Sequence, residues 1–144
     1  MATPSHASRK LFYLATIWTQ IRNSRQRTAI GTTLLAAFKS GVNDELLASE
    51  VLQRVGTPVC ECNPVDAWHA VALFSSHRFS VSLNIAALRA GARLIKSGKA
   101  KKPDEIAKVV EVVEEAKRLS QLMNVETRAE AVRFLTLAAP ILGL

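Results

Sequence analysis

Seven cations and no carboxylate lie within residues 78–102. At about 100° per residue, Arg78, Arg89, Arg93 and Lys96 fall in a narrow arc of a helix. Such a helix would run roughly 27 Å at about 1.5 Å per residue, enough to follow several phosphates of a nucleic acid. Lys99, Lys101 and Lys102 carry the charge into the turn beyond. A solvated basic face accounts for charge alone equally well. A merely soluble helix, however, intersperses Glu or Asp for i,i+4 pairing, and none is present here.

Other chemistry is sparse. Cys60 and Cys62 form a C-E-C stretch too short for a disulfide between them, with no second Cys pair to complete a zinc site. They read as small, partly buried residues. His69, next to Trp68 on an amphipathic segment, reads as packed or exposed and not as a third ligand. There is no phosphate-binding glycine loop, no H-E-x-x-H and no G-x-S-x-G. His6 and His77 sit in polar segments with no nucleophile beside them, and the Glu114–Glu115 pair lies on a solvated helix face. The expectation is therefore no enzyme, no catalytic residue, no metal, no cofactor and no small-molecule substrate. Base reading is not signalled either. The loop between the third and fourth helical segments exceeds a helix-turn-helix turn, and the aromatics, 6% of residues, are not interleaved with the cations. Charge-driven contact with a phosphate backbone is what remains.

The distribution of charge over the 144 residues supports that choice. The net charge is +7, yet residues 1–43 hold six cations and no acid, and residues 67–103 hold seven cations and no acid. Residues 44–66 hold five acids and one arginine, and residues 104–144 hold seven acids and five cations. Segregation of this kind favours a polyanionic partner over a general solubility charge. No apolar run approaches the 18 or so residues of a membrane-spanning helix. Arg9 and Lys10 before LFYLATIW imitate a secretion signal without a small-residue cleavage site, and the acid-free start imitates a mitochondrial leader. The reading preferred to both is a retained basic arm, ordered from Met1 because a partner holds it.

Hydrophobic periodicity places these residues on helices, with no sustained alternation for strands, so the fold class is all-α. Residues 1–43 read as a basic N-terminal arm with the first helices, and residues 44–144 as a compact bundle of about five. Residues 1–8 read as extended, with Ser8 capping a helix from Arg9 on which Leu11, Leu14, Trp18 and Ile21 share a side. Arg22 and Arg25 continue that side unless the chain bends at Asn23–Ser24, and Arg27 follows. A helix over 28–39 ends at Gly41. Asn43 is expected to cap the next, which ends at Gly56. Asn63 and Pro64 open an apolar central helix with Trp68, Val71, Ala72 and Phe74 inward. In the basic helix Ala86, Ala87, Ala90 and Gly91 allow close approach, and Gly98 stops it. Pro103, Asp104 and Glu105 start a helix with Ile106, Val109, Val110, Val113, Ala116 and Met123 on one stripe. Thr127 and Glu130 fit a capping box for the last, with Ala131, Phe134, Leu135 and Ala138 inward. The apolar tail PILGL should bury against a neighbour.

In layout the chain resembles the major coat proteins of filamentous and rod-shaped archaeal DNA viruses. The arm (SHASRK, then RNSRQR), the small-residue basic helix SLNIAALRAGARLIK and the closing Asn-initiated helix NVETRAEAVRFL carry the resemblance. It implies a helical protein that dimerises, with itself or a paralogous coat subunit, and wraps linear double-stranded DNA in a filament. Arg9, Lys10, Arg22, Arg25 and Arg27 would line it from the arm, and Arg78, Arg89, Arg93 and Lys96 from the second helix. The location implied is a virion, with the cytoplasm as the alternative. Two rival readings are a small helical subunit of a CRISPR effector complex and a helical adaptor for acidic protein partners.

Overall fold

The computed structural model describes residues 6–144, and these form seven α-helices with no strand among the described residues. The helices are α1 (His6–Trp18), α2 (Ser24–Lys39), α3 (Glu45–Arg54), α4 (Pro64–Phe74), α5 (Val81–Lys96), α6 (Pro103–Leu119) and α7 (Val125–Ala138). The all-helical class expected from periodicity is the one observed.

Side-chain caps fix most of the starts. Asn23, Asp44, Asn63, Ser80 and Asn124 each sit in extended backbone and accept N–H bonds from the first turn that follows. Several starts differ from those expected. α1 begins at His6, so Ser8 lies inside it and is buried; the arm's first five residues fall outside the described ones. The chain does bend at Asn23, whose side chain accepts from the Gln26 N–H, so α2 starts four residues before the expected Thr28. Asp44, not Asn43, caps α3, its carboxylate accepting from both Leu46 and Leu47. Asn124, not Thr127, caps α7, its Oδ1 accepting the Thr127 N–H at 2.9 Å and hydroxyl at 3.0 Å. Replacing Asn124 with Ala is expected to cost about 1 kcal/mol, visible as a Tm lowered by roughly 2–4 °C.

α6 differs from its expected stripe because paired valines leave the helical phase ambiguous. Val109, Val112, Val113, Ala116 and Leu119 face the core, whereas Val110 is exposed and Met123, beyond the helix end, is 93% exposed. Glu105 at the third position of α6 reaches back to the N–H groups of Lys101 and Lys102, at 3.0 and 3.1 Å, and is itself buried.

The helices do not divide into an arm over 1–43 and a five-helix bundle over 44–144. Trp18 of α1 and Leu34, Leu35 and Phe38 of α2 belong to the same core as Trp68, Phe74, Leu88, Val113 and Phe134. Phe38 meets Phe74 edge-on at 5.0 Å, and Trp68 meets Phe134 at 6.2 Å. Both indole N–H groups are satisfied by carbonyls, Trp18 by Arg27 at 3.0 Å and Trp68 by Lys99 at 2.8 Å. Gly91 is essential to this packing. A Cβ there would stand 2.9 Å from the Phe134 ring and 3.3 Å from Trp68. Ala72, expected inward, is only partly buried beside the core.

Helix directions follow from cross-chain contacts. Arg89 meets Glu126 and Glu130 while Gly91 faces Phe134, so α5 and α7 run side by side in one direction. Glu45 contacts the backbone of Ser80 and Leu52 contacts Arg93, so α3 shares that direction. α4 runs the opposite way, with Phe74 beside Asn84 and Trp68 beside Lys99. α6 pairs with α4 in parallel, since Lys108 neighbours His69 and Arg118 bonds the Ser75 carbonyl. One end of the bundle therefore gathers the C-termini of α3, α5 and α7 with the N-termini of α4 and α6.

Candidate nucleic-acid interface

The continuous stripe expected from Arg78 to Lys96 is broken. Ser80 caps α5 through its hydroxyl, which accepts the Leu83 N–H, and this leaves Arg78 in the preceding turn, its guanidinium 5.4 Å from the Phe79 ring centroid. Arg89 is paired: its Nε bonds Glu130 at 2.9 Å and an Nη bonds Glu126 at 3.2 Å. The acids missing from α5 thus come from α7, and Glu130 foremost holds the Arg89 pKa above its ordinary value. Arg93 is committed to the end of α3. Its Nε donates to the Val55 carbonyl at 2.9 Å and one Nη to the Leu52 carbonyl. There it satisfies carbonyls that a helix end leaves open. Burial, then the nearby Arg89 charge, lower the Arg93 pKa.

In the first block Arg27 is likewise engaged. It pairs with Glu61 and donates to the carbonyls of Ile21 at 3.0 Å and Arg22 at 2.8 Å, fixing the bend between α1 and α2. Glu61 also accepts from the Ser24 hydroxyl, and the Arg27 bond leads in holding its carboxyl below the usual range. Arg27, Arg89 and Arg93, expected as phosphate ligands, thus already have partners within the fold.

The other expected cations are available. Arg9, Lys10, Arg22, Arg25, Lys96, Lys99, Lys101 and Lys102 are exposed, and none forms an ion pair among the described residues. Trp68 anchors the Lys99–Lys102 turn by its bond to the Lys99 carbonyl, and Ala100 is buried beneath it. The N-terminus of α2 lies across the loop that carries Glu61. Thr28, Thr57, Cys60, Pro64, Ser97 and Lys99 line one groove of about 370 Å³ there. The start of α2 and the turn after α5 therefore flank one groove, with the Glu61 carboxylate in its lining. Arg9 and Lys10 flank a different shallow depression with Tyr13 and Leu14.

A further cation joins from a helix not expected to contribute. Arg133 of α7 lines a groove of about 250 Å³ with Arg89, Ala92, Arg93 and Lys96. Its local sequence gives no signal, because the last 41 residues carry more acid than base; only the parallel packing of α5 on α7 places it there.

The cysteines are structural in their surroundings. Burial pushes up the Cys60 thiol and raises Cys62 to about 12. Among the described residues no three His, Cys, Asp or Glu side chains group as metal ligands. Burial lowers the His69 pKa, with the Lys108 charge adding to it. Because the thiolate is the reactive form, Ellman's reagent at pH 8 is expected to leave Cys62 unmodified in the native protein and to titrate it only after denaturant is added.

No helix among the described residues is long and apolar enough to cross a membrane. No protein-family model matches the chain, nor does any curated protein or solved structure.

Proposed function

We propose that the protein binds the phosphate backbone of double-stranded DNA without reading its sequence and packages it as one of many copies in a helical coat. The observation that supports this most is the exposed set without ion pairs among the described residues, Arg22 and Arg25 on either side of the α2 start and Lys96, Lys99, Lys101 and Lys102 at and beyond the end of α5, on two segments that flank one groove. Unpaired, exposed cations on a rigid frame suit phosphates, which position a duplex but carry no base information. Arg27, Arg89 and Arg93 hold the frame; the exposed set makes the contacts. The layout resemblance to archaeal virus coat proteins favours packaging over transient binding and a virion as its setting. Met123, Val125, Val132 and Leu144 are exposed apolar side chains available for contacts between copies, with itself or a paralogous subunit.

The test is a salt titration of binding to duplexes of unrelated sequence. With about six phosphate contacts, log affinity should fall against log salt with a slope near −5, at about 0.9 per contact. A slope smaller in magnitude than about one, or strong preference for one sequence, counts against the proposal. Negative-stain microscopy of protein with duplex should show filaments. Discrete particles holding RNA and unlike subunits would favour the effector-subunit reading instead.

A further inference from the structure

The groove between α5 and α7 differs in kind from the open cationic turn. Four cations converge on about 250 Å³, below the roughly 300–1,000 Å³ of most small-molecule pockets. Glu126 and Glu130 offset Arg89 at one edge, and among the described residues no acid lines the groove itself. Among the described residues Arg93, Lys96 and Arg133 have no carboxylate partner. Like charges gathered in one groove repel one another. A bound anion would relieve that repulsion.

Arg93 is also already in place. Two of its donors are fixed on the Leu52 and Val55 carbonyls at the end of α3, so little side-chain entropy would be lost on binding, and its second Nη donates to no group among the described residues. Lys96 and Arg133 are exposed and free to close from either side, and a guanidinium matches phosphate oxygens with paired donors. The need for carbonyl partners explains Arg93 alone; it does not explain why Lys96 and Arg133 were brought beside it.

From this we infer that the α5–α7 groove, formed by Arg93, Lys96 and Arg133 with Arg89 at its edge, is a seat for a single phosphoryl dianion. The source is either free inorganic phosphate or the terminal phosphate of a nucleic-acid strand. This inference rests on the backbone-binding proposal only for the second source. A backbone phosphodiester carries one charge, whereas a terminal phosphate approaches two near neutral pH, and three unpaired cations favour the latter.

The experiment has two arms on the full chain. In the first, inorganic phosphate is titrated against chloride at matched ionic strength and followed by amide NMR. Phosphate-specific shifts are expected at Ala92, Lys96 and Arg133, and the Lys96→Gln/Arg133→Gln double variant should bind at least tenfold more weakly. Arg128→Gln, an exposed change on the same helix outside the groove, should bind as the parent does. Indistinguishable responses to phosphate and chloride, or a double variant that binds phosphate like the parent, would overturn the inference. In the second arm, 5′-phosphorylated and 5′-hydroxyl oligonucleotides of one sequence are compared. A several-fold preference for the phosphorylated strand, lost in the double variant, identifies the terminal group; equal binding with phosphate-specific shifts in the first arm identifies free phosphate. The salt slope on 5′-hydroxyl duplex reports backbone binding separately. A steep slope without phosphate-specific shifts therefore defeats the groove alone, and shifts without a slope defeat the backbone proposal alone.

Discussion

Replacing Lys99, Lys101 and Lys102 together with glutamine is expected to weaken duplex binding by roughly 10² to 10³-fold at 0.1 M salt. The figure follows from counterion release, at about 0.9 ions for each phosphate neutralised, so three lost contacts reduce the slope magnitude by about 2.7. The loss should be alike for every sequence, since these side chains have no defined route to base edges. All three are exposed and form no ion pair among the described residues, so the change should leave the fold intact. The backbone bonds that shape the turn, from Trp68 to the Lys99 carbonyl and from the Lys101 and Lys102 N–H groups to Glu105, do not depend on the lysine side chains. Electrophoretic shift at two salt concentrations measures it. A triple variant with the parent's slope would remove this turn from the interface.

The largest stability effect should come from Trp68→Ala. The ring is fully buried, packs edge-on with Phe134 and lies against the gap left at Gly91. Truncating such a side chain costs about 3–5 kcal/mol, a large share of the roughly 5–15 kcal/mol that holds a domain together. Trp68→Phe keeps most of the apolar surface but strands the Lys99 carbonyl, with an expected loss of about 1–3 kcal/mol. Urea unfolding, with Trp18 as the remaining fluorophore, distinguishes the two. An Ala variant with the parent's midpoint would show that the Trp68 ring is not a main anchor of the core.

Periodicity and punctuation in the sequence were enough to find the helices, because Asn63–Pro64, Gly98 and Pro103 act through local geometry. What they did not reveal was partnership across the chain. The acid-free character of α5 is a local property, yet Arg89 meets carboxylates 37 and 41 residues away on α7. Arg93 meets backbone carbonyls, which no charge count registers. Arg27 finds Glu61 inside the very stretch that appeared to separate the two basic blocks. Arg133 reaches the groove only through helix packing. The valine-rich face of α6 failed differently: with Val109, Val110, Val112 and Val113 all apolar, tertiary contacts and not composition choose which point inward.

Adjacent antiparallel helices also determine where the field at the cationic end comes from. Carbonyl ends of α3, α5 and α7 lie there among the amide ends of α4 and α6, so their opposed partial charges largely cancel. Polarity at that pole is therefore written almost wholly in removable side chains and hardly at all in the peptide framework. A chain with its unpaired lysines exchanged for glutamates should keep the same architecture while losing any attraction for the proposed polymer.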